Sequence, residues 1–278
     1  ADSATLFILG DSYLYSYFKE DSRYYTNIDK VKFIRWSVEK PIKITPSTHK
    51  KNILLIESVE RNMADLLNLE AVKARLDGES LPNIMPSFRQ KCISISSEIN
   101  KNILESLYHK TIEANIEFTW FNLGFLSTFK EIKADFNFNV FGRTDKEIAI
   151  SKDQHFLYLA GTINPENQGS SFSMISKEQL KTQVNELNKI QRYYKARGFD
   201  EVIFSIIPNP VAVLESENKL LNHVINRIKF DSNFQGVLIN PTENLLKNAS
   251  LNFFVSDSHW NKRGAKIWLD EVNKQLEN

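Results

Sequence analysis

Thr5-Leu6-Phe7-Ile8-Leu9-Gly10-Asp11-Ser12 is an apolar run that ends in a glycine, an acid and a serine. A short run that does not alternate polar with apolar suits a strand buried on both faces, as in a parallel sheet covered by helices. The pattern returns at Ile53–Ile56, Val202–Ile207 and Val237–Ile239. Helical patterns lie between these runs. Lys177–Arg197 places Leu180, Val184, Leu187 and Ile190 at helical spacing and stops at Gly198, a good residue to close a helix. Asn261–Leu276 carries Ile267, Val272 and Leu276 on one side and predicts a closing amphipathic helix, and Arg61–Leu76 and Glu98–Thr111 are also expected to be helical. Strands alternating with helices predict an α/β fold, a doubly wound and mainly parallel sheet in a flavodoxin-like three-layer arrangement.

Working outward, the 278 residues suit a single α/β domain. With 42% hydrophobic and 25% charged residues the chain reads as globular. A net charge of +1 gives no electrostatic footprint for nucleic acid or an anionic membrane, so neither is an expected partner. Cys92 is the only cysteine, which excludes an intramolecular disulfide and a cysteine-based metal site. His49, His109, His155 and His223 show no ligand-like spacing, so no metal is expected. No apolar run reaches the roughly 18 residues of a membrane span. The sequence begins almost directly on its first apolar run, and we expect a targeting or anchor segment to have preceded it. The oligomeric state is left open, and a monomer is compatible with everything above.

The middle of the chain, at about 77–176, is less regular. Pro82, Pro86 and Pro165 punctuate it, and aromatic clusters at Phe118–Phe125 and Phe136–Phe141 require burial. This stretch is expected to be an insertion that packs against the sheet and helps to wall a site.

Two motifs carry chemistry. A serine at a strand-to-helix turn projects from the carboxyl edge of the sheet, where α/β sites lie, and Ser12 is so placed. Its own amide and those beside it have no intrahelical partner and can stabilise an oxyanion. The competing reading of Gly10-Asp11-Ser12 is a turn with Ser12 as helix N-cap. The second motif is Asp257-Ser258-His259-Trp260. In extended backbone Asp257 and His259 face the same way, so the carboxylate can bind one imidazole nitrogen and leave the other for a serine. Trp260 is expected behind the imidazole, and the competing reading is a loop that caps the last helix. In a doubly wound sheet the two motifs can meet at one edge, which predicts a nucleophile (Ser12), a base (His259) and an orienting acid (Asp257). Part of the aromatic run Tyr13–Phe18 is expected to be the buried face of the first helix, with Tyr13 also a candidate pocket residue, and Asp11 is expected to hydrogen-bond across the turn. At the end of the strand through Ile53–Ile56, Arg61 and Asn62 are candidates for an oxyanion or substrate contact, with pairing of Arg61 to Glu57 or Glu60 as the structural alternative.

Gly-Asp-Ser near the start and an Asp-x-His pair near the end resemble the SGNH (GDSL-type) hydrolase superfamily. Its commonest spacing is Asp-x-x-His, and Ser256 stands at that acid's place here. Asp257-Ser258-His259-Trp260-Asn261 instead resembles the Asp-x-His-Trp motif of the alginate O-acetylation proteins, SGNH-like proteins of the bacterial envelope. Ile53–Arg61, Phe141-Gly142, Leu157-Tyr158 and Gly198–Pro208 are similar to segments of that branch. The order of the two motifs follows the wider superfamily, and Pro210 stands where relatives often carry a lysine after the asparagine.

The resemblance implies an acyl esterase or O-acetyltransferase acting on a cell-envelope polysaccharide through an acyl-serine. It needs no cofactor, and its partners would be a carbohydrate or acyl-ester substrate and a membrane-bound acyl-donor protein. It also implies an exported, periplasmic or envelope location, with the cytoplasm left open by composition. Two further readings stay open: an inactive SGNH scaffold that binds or assembles polysaccharide, and a cytosolic lipase or thioesterase with an apolar acyl channel.

Overall fold

The computed structural model describes residues 4–18, 21–37, 42–78 and 147–277. The chain divides into two compact units, one of residues 1–80 with 146–278 and one of residues 81–145. The stretch expected as one insertion at about 77–176 therefore divides, because 147–176 belongs with the α/β unit. The helix expected at Glu98–Thr111, both aromatic clusters, Cys92 and His109 lie outside the described residues.

The strands are β1 (Ala4–Gly10), β2 (Ile28–Arg35), β3 (Lys51–Val59), β4 (Ile148–Ile150), β5 (Leu157–Leu159), β6 (Glu201–Ile207) and β7 (Val237–Ile239). Five of them form the main sheet in the order β2-β1-β3-β6-β7, with every neighbouring pair parallel. β4 and β5 make a separate antiparallel pair. In register, Leu6 faces Ile53 and Ile8 faces Leu55, while Leu55 faces Ile203 across to β6. β1, β3 and β6 are buried along nearly their whole length, as their mainly apolar runs require. β2 is an edge strand in which Ile28, Val31 and Ile34 are buried and Asp29 and Lys30 are exposed.

The helices are α1 (Ser12–Phe18), α2 (Met63–Leu66), α3 (Leu69–Leu76), α4 (Lys177–Ala196), α5 (Pro210–Leu214), α6 (Val224–Lys229), α7 (Thr242–Leu246) and α8 (Lys262–Leu276). On one face α1 packs on α8, and Leu14, Trp268 and Val272 join Leu6, Ile8, Ile53, Leu55 and Ile203 in one apolar cluster. On the other face Phe7 meets Phe199 edge to face at 5.2 Å, and Phe199 meets Tyr194 of α4 at 5.9 Å. α4 in turn packs against α3 and α6. Each fully buried side chain of this kind contributes about 1.5–3 kcal/mol. α4 starts in a capping box, where Ser176 accepts the Gln179 N–H at 3.1 Å and Gln179 accepts the Ser176 N–H at 2.7 Å. Gly198 closes it at φ +95°. Among the described residues no helix is long and apolar enough to cross a membrane.

The fold is thus a doubly wound α/β sheet in three layers. From β1 the chain turns to β2 on one side and then crosses to β3 on the other. That reversal opens a crevice outside the carboxyl ends of β1 and β3, where ligands bind in open α/β sheets. The Gly10-Asp11-Ser12 turn leaves one of those ends, and a 3-10 turn of Glu60–Asn62 leaves the other.

Candidate active site

A Cβ on Gly10 would stand 3.0 Å from Glu57 Oε2 and 3.2 Å from Phe33 Cζ, so the end of β1 has little room for a side chain. Asp11 then caps α1, its Oδ1 accepting the Tyr13 N–H at 2.8 Å. This separates the two readings of Ser12. The cap comes from Asp11, and Ser12 Oγ instead lies 2.9 Å from His259 Nε2.

The same separation holds at the other motif. α8 is capped by Asn261, whose Oδ1 accepts the Arg263 N–H at 2.9 Å. Asp257 is therefore left to His259: its Oδ1 lies 2.7 Å from Nδ1 and accepts the His259 N–H at 3.2 Å. The segment is folded back on itself as a small hairpin, with an antiparallel bridge between Phe253 and Trp260 and a bond from the Phe254 N–H to the His259 carbonyl at 3.2 Å. Partial burial pushes the Asp257 carboxyl upward, but the hydrogen bonds from the His259 ring and backbone, together with the imidazole charge, hold it below the usual carboxylate range. An ionised carboxylate can only accept. The proton between the two groups then resides on Nδ1, and the Nε2 lone pair faces Ser12.

Tyr13 occupies a different place from the pocket position expected of it. It is fully buried, and its ring rather than that of Trp260 lies against the imidazole, with centroids 4.5 Å apart. Trp260 stands behind Tyr13 at 5.3 Å, edge to face, and donates its Nε1–H to the Tyr13 carbonyl at 3.0 Å. The Tyr13 hydroxyl donates to the Ser258 carbonyl. Tyr13 therefore joins the helix that carries Ser12 to the loop that carries His259, and the sequence offered no sign of this because an aromatic beside a serine suits either a pocket wall or a core.

Arg61 is brought to the same place. Its Nη1 donates to the Tyr13 hydroxyl at 3.3 Å, and its guanidinium lies 5.4 Å from the Tyr13 ring centre. Among the described residues it forms no ion pair with Glu57 or Glu60, so the pairing alternative is not realised. Asn62 ends the same 3-10 turn, half-buried, and no hydrogen bond joins it to the triad among the described residues.

Two buried acids, expected from the sequence only as possible partners of Arg61, make other contacts instead. Glu57 lies beneath the Ser12 turn and accepts the Asp11 N–H at 2.8 Å. Glu60, 5% exposed, accepts the buried Asn209 N–H at 2.9 Å. Asn209 donates to the Gly169 carbonyl at 3.1 Å and to Ser171 Oγ at 3.0 Å. The Gly169 backbone lies directly on Arg61, where a Cβ would meet the Arg61 carbonyl at 2.2 Å. Glu60 and Asn209 thus clamp the 169–171 loop onto the turn that carries Arg61.

Burial raises the Glu60 pKa from 4.5 to about 7, against hydrogen bonds from Asn209 and Ser171 that lower it. Between those values the folded chain keeps a proton that the unfolded chain has lost, so this group's contribution to stability falls as pH rises, and the loss is complete above about pH 7. Glu60→Gln is uncharged throughout and retains an acceptor for the Asn209 N–H. Urea melts at pH 5 and pH 8.5 should show the variant gaining on wild type at the higher pH, by up to on the order of 3 kcal/mol. A difference that does not change with pH would refute this.

Comparison with known proteins finds no matching family model, no matching curated protein and no matching solved structure. The functional reading therefore rests on the chain's own residues.

Proposed function

We propose that this protein is a serine-dependent acyl esterase or O-acetyltransferase that acts on a carbohydrate of the cell envelope through an acyl-serine. The observation that supports it is the continuous contact from Asp257 Oδ1 through His259 to Ser12 Oγ, at 2.7 and 2.9 Å, outside the carboxyl ends of the parallel strands. In this reading Nε2 takes the hydroxyl proton as Ser12 Oγ attacks the ester carbonyl. Asp257 stabilises the imidazolium that results. The oxyanion forms beside the Ser12 N–H in the first turn of α1, and Arg61 and Asn62 on the facing turn are the proposed second contact to oxyanion or substrate. The imidazolium returns its proton to the departing alkoxide, leaving an acyl-serine. His259 then deprotonates the acceptor, water or a sugar hydroxyl, which releases the acyl group and restores Ser12.

The carbohydrate, the envelope location and a membrane-bound acyl-donor partner rest on the resemblance of Asp257-Ser258-His259-Trp260 to the Asp-x-His-Trp motif of SGNH-like O-acetylation proteins. The test is acetyl release from p-nitrophenyl acetate with and without an oligosaccharide acceptor, followed by the mass of the oligosaccharide. Growth of the acceptor by acetyl units is the transferase outcome, and release to water alone is the esterase outcome. No release above the Ser12→Ala background would count against enzymatic acyl transfer.

A further inference from the structure

We propose that Glu57 is a positioning residue for Ser12: its carboxyl, held as the neutral acid beneath the Gly10-Asp11-Ser12 turn, fixes that turn by accepting the Asp11 N–H. The inference rests on the acyl-transfer reading and extends it to a residue outside the triad. Glu57 is a break in the apolar run of β3, fully buried on the face that α1 and α8 cover. Its Oε2 takes the Asp11 N–H at 2.8 Å and fills the space a side chain at position 10 would need. Its own carbonyl accepts the Trp36 Nε1–H at 2.7 Å, which fixes the strand there. Beyond the Asp11 carboxyl, Oε1 has no hydrogen-bond partner among the described residues, and no cation forms an ion pair with the group.

The groups that face this carboxyl are few. The Asp11 carboxyl lies against it, and the Arg61 charge reaches both acids. Two carboxylates side by side in a buried site cannot both ionise, so the pair holds a proton. Burial raises the Asp11 carboxyl too, but the Tyr13 N–H and the Arg61 charge pull it down, and of the two acids it carries the charge. Burial and the Asp11 charge push Glu57 well above the ordinary range, and it keeps the proton. Two consequences follow for Ser12, the next residue along. The bond to the Asp11 N–H sets where Oγ stands relative to His259. Retention of the proton leaves one negative charge, not two, behind the place where an oxyanion forms.

The experiment compares wild type, Glu57→Gln and Glu57→Ala for the rate of labelling by a fluorophosphonate, with melting curves for each and an infrared spectrum at pH 8. Glutamine keeps a neutral acceptor for the Asp11 N–H and a donor toward the Asp11 carboxylate, so it should label close to the wild-type rate. Alanine should label about 100-fold more slowly while still melting cooperatively, since loss of fine alignment has effects of that size. Wild type should lose rate at high pH where the pair gives up its proton, and Glu57→Gln should not. A protonated-carboxyl band present in wild type should disappear in Glu57→Gln and persist in Glu60→Gln. A folded alanine variant that labels like wild type, a glutamine variant as slow as alanine, or absence of the band would each overturn the assignment. If wild type itself does not label, the acyl-transfer reading falls, and the infrared band alone decides the state of Glu57.

Discussion

Ser12→Ala and His259→Ala are each expected to lower kcat for an activated acetyl ester by about 10⁴- to 10⁶-fold, the size of effect when a nucleophile or its base is removed from a triad. Neither change should move the melting temperature much, because Ser12 is exposed and His259 is half-buried. The two losses should not add: once Oγ is absent, a base aimed at it from 2.9 Å has nothing to deprotonate. The double variant is therefore expected to match the slower single one. Asp257→Asn should have a smaller effect than either. The carboxylate is half exposed, so water can take over part of its work in holding Nδ1. Steady-state rates for the four variants check the whole set. A double variant slower than both singles by the product of their effects would mean that Ser12 and His259 act independently.

Trp260→Ala should be the most damaging single change to stability near the site, costing about 3–5 kcal/mol as a large buried aromatic replaced by a methyl group. Trp260 is fully buried, meets Tyr13 at 5.3 Å and Trp268 at 6.3 Å, and ties the histidine loop to the Tyr13 carbonyl. Activity should fall further than the unfolded fraction explains, since the loop that carries Asp257 and His259 loses its tie to the helix that carries Ser12. Trp260→Phe separates the two contributions: it keeps most of the volume and removes the Nε1–H, at about 1 kcal/mol for one hydrogen bond. Denaturant melts paired with rates at a concentration where every variant is folded provide the measurement. Equal activity per folded molecule in Trp260→Ala and wild type would refute the positioning part.

The core strands were legible because burial on both faces leaves a one-dimensional mark. Leu6–Leu9 and Ile53–Ile56 have no polar interruption and Val202–Ile207 has only the buried Ser205, and each lies within an interior strand. β2 was not legible. An edge strand that alternates Asp29, Lys30 and Lys32 with Val31 and Phe33 reads like any solvated segment. The meeting of Ser12, His259 and Asp257 was legible because Asp257 and His259 are two residues apart and Ser12 follows a strand, which are local facts. The assignments of Asp11 and Asn261 as the caps were not, since Ser, Asp and Asn suit a cap about equally and only the folded geometry chooses among them. The roles of Glu57 and Glu60 stayed hidden for a further reason. Their partners, Asp11 and Asn209, are 46 and 149 residues away, and nothing in one chain read linearly joins them. The sequence left Tyr13 between a buried face and a pocket wall because its partners, Ser258 and Trp260, come from the opposite end of the chain.

The most direct test of the account is to treat the wild-type protein and His259→Ala with a fluorophosphonate and map the adduct by peptide mass. The account predicts a single adduct on Ser12 in wild type and none, at equal exposure, in His259→Ala. No adduct under conditions that label a known serine esterase, or an adduct on another residue, would contradict it.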